Sequence, residues 1–167
     1  MRDVCAGKPI EFGLAVSQSE KSPDNKGMSN VAGAFVTTDL ISVSDLAALV
    51  RSNTAGAIVT FSGDVRDNDH GRDVLSLSYE AHPSAQALLE KVASQIAGQY
   101  DVLSVAVAHR HGDIAIGEAA LIAAVAAKHR KAAFDACTAL VDEVKAQIPI
   151  WKHQVFADGT DEWVNCA

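Results

Sequence analysis

The sequence contains few cysteines and has no excess of positive charge. Its three cysteines, Cys5, Cys137 and Cys166, are odd in number and far apart, which argues against a disulfide framework and against a Cys-x-x-Cys metal site. The formal net charge of −7 at pH 7 makes the surface repel nucleic acid and anionic membranes on average. These features predict a cytoplasmic protein that binds neither nucleic acid nor a membrane.

The chain also lacks a long apolar run, a glycine-rich phosphate loop and metal-ligand spacing. Its alanine-rich stretch at residues 119–127 is about half as long as a membrane-spanning helix. His82, His109, His111 and His129 show neither His-x-x-x-His spacing nor a ligand spacing with cysteine, so we expect no metal site.

The length of 167 residues suits one domain. Residues 1–32 are predicted to form a poorly ordered extension, because residues 17–30 are rich in Ser, Lys, Asp, Asn and Gly and include Pro23. The predicted domain is therefore 33–167.

Hydrophobic periodicity predicts an α+β domain with the element order β-α-β-β-α-β-β-α-β-β. The clearest element is an amphipathic helix over residues 131–148 with Phe134 and Cys137 on its apolar side, ended by Pro149. Residues 119–128 are ambiguous, because alanine favours a helix whereas the β-branched residues among them favour a strand. Strands are predicted at 34–38, 56–62, 74–80, 102–109, 150–156 and 163–164. The strand at 56–62 is expected to be buried, because it is apolar and β-branched. Shorter helices are predicted at 45–51 and after Pro83, and a polar loop at 66–73.

Cations cluster where the long helix should begin, against the acidic balance of the chain. Lys128, His129, Arg130 and Lys131 are consecutive. Cations at a helix N-terminus cost on the order of 0.3–1 kcal/mol each, whereas an anion bound there would make them favourable. The alternative is a helix that begins nearer Glu118, with the four cations in mid-helix and solvated.

Three further cations lie at positions where they could take part in catalysis or in substrate binding. Lys145 lies in the last turn of the same helix, where a lysine is favourable on structural grounds alone. Lys152 follows Ile150 and Trp151 on a strand. An apolar setting with other cations suits an acid, base or nucleophile, unless the lysine extends to water from a sheet edge. Arg66, after the strand at 56–62, could bind a carboxylate or phosphate with two bonds, or be an ordinary loop arginine.

Several stretches together resemble the large-subunit family of molybdopterin synthase. They are GAIVTFSGDVR at 56–66, VAHRHG at 107–112, AKHRKAAF at 127–134 and KAQIPIWK at 145–152. The resemblance runs in the family's order from about residue 34 to residue 164, and Lys-x-x-x-Pro-x-Trp-Lys is its most specific part.

The resemblance implies an α/β-hammerhead-type domain with a small additional antiparallel β subdomain. It also implies a homodimer at the centre of a heterotetramer, with a small ubiquitin-like subunit whose Gly-Gly tail carries a thiocarboxylate. The implied reaction adds two dithiolene sulfurs to a cyclic pyranopterin monophosphate and requires no metal or redox cofactor.

The resemblance also assigns roles to residues by position. Lys145 and Lys152 are implied to be catalytic, and Phe61 to line the entrance for the partner's tail. His129 and Arg130 are implied to come from the neighbouring protomer. The implied substrate-binding residues are Val65, Arg66, His129, Arg130 and His153.

The chain departs from the family pattern at two acidic positions. Asp64 stands where some members have a basic residue, and Glu162, with Asp161, replaces a more basic stretch. An alternative function therefore stays open: a non-catalytic dimeric module that binds a ubiquitin-like Gly-Gly tail or a phosphorylated metabolite.

Overall fold

The computed structural model describes residues 30–165. Cys5 and Cys166 lie outside this range, as does the predicted extension up to residue 29. No helix within the described range is long and apolar enough to cross a bilayer. The elements are β1 (Val31–Thr37), α1 (Val43–Val50), β2 (Ala57–Asp64), β3 (Asn68–Asp69), β4 (Arg72–Ala81), α2 (Ala85–Gln99), β5 (Ser104–Arg110), β6 (Gly112–Asp113), β7 (Ala119–Ala127), α3 (Arg130–Gln147), β8 (Ile150–Phe156) and β9 (Asp161–Asn165).

The first sheet has the strand order β1-β5-β7-β2 and carries the main core. β1 runs parallel to β5, while the β5–β7 and β7–β2 pairs are antiparallel. Helices α2 and α3 pack on one face of this sheet and α1 packs on the other. Both faces of the two central strands are therefore buried, which is the setting in which strands become almost uniformly apolar.

This double cover settles the ambiguous stretch at residues 119–128. It forms β7, whose residues from Ala120 to Ala127 are all buried. Ala123 and Val125 face α2 and α3, whereas Ala124 and Ala126 face α1. Packing on both sides overrides the helical preference of alanine here.

The second sheet is small and entirely antiparallel. Its strand order is β3-β4-β8-β9, and β6 also pairs with β4. A separate apolar cluster that includes Val74, Leu77 and Phe156 lies between this sheet and the end of the first one. The predicted α+β class, with a small antiparallel β subdomain, is confirmed.

Two predictions about strands were wrong. Residues 66–73, predicted as a loop, contain the β3–β4 hairpin. Its two-residue turn is made by His70 and Gly71, with φ angles of 51° and 83°, the geometry that suits tight hairpins. β2, predicted as buried, alternates between half-buried and exposed residues, because it is an edge strand covered on one face only.

Helix α3 begins at Arg130, with His129 as its N-cap residue, so the alternative start near Glu118 is wrong. Lys145 lies in its last turn, as predicted. With a rise of about 1.5 Å per residue, Arg130 and Lys145 lie roughly 22 Å apart along the helix. Phe134, predicted on the apolar side, is 59% exposed, because the buried stripe runs through Ala133 and Cys137 instead.

Candidate functional site

A cleft of about 380 Å³ opens where the C-terminal end of α3 meets the second sheet. The first sheet supplies its floor through the end of β5 and the start of β7. The hairpin after β2 and strand β8 supply its walls. Its polar lining residues include Asp64, Arg66, Asn68, Asp69, Tyr79, His109, Lys145, Lys152, Gln154 and Asn165.

The cleft brings together four of the residues singled out from the sequence. Val65 and Arg66 lie directly after β2, Lys145 lies at the end of α3, and Lys152 lies on β8. The three cations come from distant parts of an acidic chain. Their convergence gives the cleft the positive groups needed to bind an anion.

Asp69 holds two of these cations together. Its carboxylate accepts hydrogen bonds from Gln154 Nε2 at 2.7 Å and Lys152 Nζ at 3.3 Å, and its other oxygen accepts one from Arg66 Nη2 at 3.4 Å. The Gln154 hydrogen bond and the Lys152 charge hold the pKa of the Asp69 carboxyl below its ordinary value, against the opposing effect of burial. Asp69 is therefore an anion in the wall of the cleft.

Lys145 has a different setting. Among residues 30–165 it forms no ion pair. Its charge acts on the buried imidazole of His109, which also lines the cleft. Lys145 is thus the cation in the cleft that has no carboxylate partner within the described range.

His109 is a neutral group in the floor of the cleft. It is 6% exposed, and its Nδ1 lies 2.8 Å from the carbonyl oxygen of Arg110. Burial lowers the pKa of the imidazole and the nearby Lys145 charge lowers it further, against the backbone hydrogen bond, which raises it. Because Nδ1 donates to the carbonyl, Nε2 is the nitrogen with a free lone pair.

Sequence reasoning missed Asp69, His109 and Gln154 as members of the site. Two of them could have been found from the alternation of side chains along a strand, in which every second residue lies on the same face. Gln154 lies two residues from Lys152 on β8, and His109 lies two residues from the buried Val107 on β5. Asp69 left no such signal, because its place depends on the hairpin.

The structure does not bring His153 into the cleft. It lies on the face of β8 opposite to Lys152 and stacks on the ring of Trp163, with ring centroids 4.4 Å apart. Its Nε2 lies 2.9 Å from a carboxylate oxygen of Asp161. In this single chain the side chain of His153 faces a separate surface depression beside β4.

Phe61 also lies outside the cleft, in a shallow groove between β2 and α3. Phe134, Cys137 and Val141 line the same groove. Cys137 is a buried thiol whose pKa burial raises to about 11, which does not suit a nucleophile. From Phe61 the strand β2 leads to Val65 in the cleft, a distance of roughly 13 Å at the rise of an extended strand.

His129 and Arg130 lie at the far end of α3 from the cleft. Within one chain the length of the helix keeps them away from Lys145. No group of three or more His, Cys, Asp or Glu side chains in residues 30–165 is arranged to hold a metal ion.

Comparison with known proteins identifies the family of the chain. The family model of the MoaE protein matches residues 36–147. The chain belongs to the MoaE family. The molybdopterin synthase catalytic subunit of Arabidopsis thaliana is 43% identical over 111 residues, which cover 66% of this chain and 56% of the plant protein. This MoaE-family chain therefore spans just over half the length of that relative.

Two further MoaE-family comparisons extend over more of both chains. The molybdopterin synthase catalytic subunit of Bos taurus is 37% identical over 161 residues, which cover 93% of this chain and 85% of the bovine protein. The crystal structure of molybdopterin synthase from Staphylococcus aureus superposes with a TM-score of 0.73 at 27% identity, over 78% of this chain and 96% of that one.

Proposed function

We propose that this chain is the catalytic subunit of a molybdopterin synthase, which transfers sulfur to a pterin. The observation that carries the proposal is the convergence of Arg66, Lys145 and Lys152 in one cleft of a chain with a net charge of −7. Membership of the MoaE family supports it, because the bovine and plant relatives carry that name.

The substrate that we propose is a cyclic pyranopterin monophosphate, and the sulfur donor is a thiocarboxylate at the end of a protein tail. Both groups are anionic, and their repulsion in a partly dry cleft amounts to roughly several kcal/mol. Arg66 and Lys152 offset that repulsion and orient the phosphate ester, with Val65 beside them. No metal or redox cofactor enters the proposed step.

The partner is a small ubiquitin-like subunit that ends in Gly-Gly. The groove with Phe61 and Phe134 offers it an apolar surface beside the strand that leads to Val65. An extended tail of about four residues spans the roughly 13 Å from this groove to the cleft. Glycine at the end of the tail suits this route, because it has no side chain to clash with the walls of the cleft.

His129 and Arg130 reach a substrate only if a second copy of the chain supplies them. The distance of roughly 22 Å along α3 separates them from Lys145 of their own chain. We therefore propose a homodimer whose two clefts each receive His129 and Arg130 from the neighbouring protomer. With one small subunit per cleft, the assembly is a heterotetramer.

Each sulfur transfer forms a carbon–sulfur bond between the pterin side chain and the thiocarboxylate and breaks a carbon–oxygen bond of that side chain, whose oxygen stays on the phosphate or leaves as water. Water then attacks the carbonyl carbon, the tail leaves as a carboxylate, and the sulfur stays on the pterin. Lys145 acts closest to these atoms. It either transfers protons as the sulfur attacks or stabilises the negative charge of the tetrahedral carbon centre. We place the reaction in the cytoplasm, where the thiol of Cys137 remains reduced.

Reconstitution with purified components tests the proposal. The full chain, a thiocarboxylated Gly-Gly partner and the pterin monophosphate should give a product with two added sulfurs, detected by mass spectrometry. The same partner with an ordinary carboxylate tail is the control and should give no product. Tight binding of the thiocarboxylated tail without any sulfur transfer would favour the non-catalytic binding module instead.

A further inference from the structure

The carboxylate of Asp69 lies at the point in the cleft where three hydrogen-bond donors converge. Lys152, Arg66 and Gln154 all direct nitrogen atoms at its two oxygens, and its side chain is only 13% exposed. Three donors around one carboxylate make an anion-binding site whose anion belongs to the protein. The two cations that a ligand anion would use are therefore already partly neutralised.

The lengths of these contacts differ in an informative way. Charge-assisted N–H···O bonds usually measure about 2.7–2.9 Å. The Lys152 and Arg66 contacts, at 3.3 Å and 3.4 Å, are longer than this, whereas the neutral amide of Gln154 lies at 2.7 Å. Gln154 therefore anchors the carboxylate, and the two cations are held more loosely. Each cation also carries more N–H donors than the one that contacts Asp69.

The hairpin fixes the backbone of Asp69 independently of any ligand. Asn68 Oδ1 accepts a hydrogen bond from Gly71 N at 3.0 Å, and Asn68 Nδ2 donates to Asp73 at 3.2 Å. The turn between β3 and β4 then places Asp69 beside Lys152. An anion that enters the cleft must share the donors with this carboxylate or displace it by rotation of its side chain.

We propose that Asp69 is a built-in competitor that sets the anion selectivity of the cleft. Its carboxylate keeps small free anions from occupying Lys152 and Arg66, so that only a ligand with additional contacts binds well. The inference rests on the proposed function in one respect, since it takes this cleft as the place where an anionic substrate group binds.

Binding of inorganic phosphate to the full chain at pH 7 tests the inference by calorimetry. Asp69→Asn removes the charge but keeps an oxygen that can accept from Gln154. It should bind phosphate at least about tenfold more tightly than the wild type, because the repulsion from the carboxylate is gone. Asp69→Ser serves as a second variant if Asp69→Asn does not fold.

Asp64→Asn is the matched control. Asp64 also lines the cleft, but its carboxylate accepts a hydrogen bond from the hydroxyl of Ser62 and forms no ion pair within residues 30–165. Its neutralisation should change phosphate affinity by less than about threefold, because it removes the same charge without freeing a cation. Lys152→Met combined with Asp69→Asn should abolish the gain.

A folded Asp69→Asn protein that binds phosphate no more tightly than the wild type would overturn the inference, because the carboxylate would then organise the donors instead of competing for them. An equal gain in Asp64→Asn would overturn it too, since general charge would explain the effect. Loss of the proposed function is a separate result: absence of sulfur transfer by the wild type would leave the phosphate affinities unaltered.

Discussion

The imidazole of His109 meets the ring of Tyr79 edge to face, with ring centroids 5.4 Å apart and an angle of 77° between the planes. The contact joins β5 of the first sheet to β4 of the second, in the lining of the cleft. It holds a neutral imidazole beside the charge of Lys145. Protonation of His109 would put a positive charge in a buried position near the charge of Lys145, so the burial of this imidazole should make the molecule sensitive to mild acid.

Stability should fall as the pH drops below about 6.5, the ordinary pKa of histidine. The pKa of His109 is lowered in the folded chain by burial and by the charges of Lys145 and His111. In this window the unfolded chain binds the proton more readily, so acid favours unfolding, by at most about 1.4 kcal/mol per pH unit for one group. Denaturant unfolding at pH 7, 6 and 5 should show a smaller loss in His109→Gln than in the wild type.

Asp69 does not contribute to the change in stability between pH 7 and pH 5, because its lowered pKa lies below the ordinary carboxyl value of 3.8. Its contribution is present above that value and is lost only at lower pH. An unchanged slope between pH 7 and pH 5 in His109→Gln would show that the imidazole is not the group responsible.

Lys145→Ala should reduce sulfur transfer by roughly 10²–10⁴-fold, the usual effect of losing a group that moves protons. Lys145→Arg separates the two roles open to this lysine. It should be as inactive as Lys145→Ala if proton transfer is required, and should regain activity if a positive charge is enough. Single-turnover assays with the thiocarboxylated partner measure both variants.

Lys91→Ala provides the control for this series, because Lys91 is an exposed lysine on α2, away from the cleft. It should keep wild-type activity. Activity of Lys145→Ala within a few-fold of the wild type would remove Lys145 from the reaction.

The apolar groove should act as the docking surface for the small subunit. Phe134 is 59% exposed on α3 and lines the groove together with the half-buried Phe61, so the two rings form an apolar patch open to a partner. Phe134→Ser and Phe61→Ala should each weaken binding of the small subunit by about tenfold or more, since buried aromatic residues dominate such interfaces. Calorimetric titration of the partner measures this effect.

Leu40→Ser is the matched control, because Leu40 is 46% exposed beside α1, on the opposite face of the first sheet. It should leave the affinity unchanged. Equal weakening by all three substitutions would show that the loss reflects general destabilisation and not docking.

Parts of the site could be read from the sequence because the information was local. The boundaries of β8 match the predicted strand at 150–156, since Pro149 separates this strand from the helix before it. Lys145 could be placed in the last turn of α3 for the same reason. Arg66 could be placed after β2, although the ordered hairpin that follows could not be foreseen.

Other parts depended on contacts between distant elements. The strand β7 is decided by helices on both of its faces, which no pattern in residues 119–128 encodes. Asp69 and Lys152 are eighty-three residues apart in the chain, and they become partners only when β4 pairs with β8. Phe134 was wrongly assigned to the buried face of α3. Helical periodicity indicates the direction of that face, but not how wide a part of the helix the rest of the chain covers.

The most direct test of the shared cleft is to mix two chains that are each inactive. Lys145→Ala inactivates the cleft of its own chain, whereas Arg130→Ala inactivates the cleft of the neighbouring protomer. Co-expression should form mixed dimers in which one of the two clefts is intact, and sulfur transfer should return to about a quarter of the wild-type level. If mixed dimers form and the mixture is no more active than either variant alone, the two residues do not serve one cleft across a dimer, and the account is wrong.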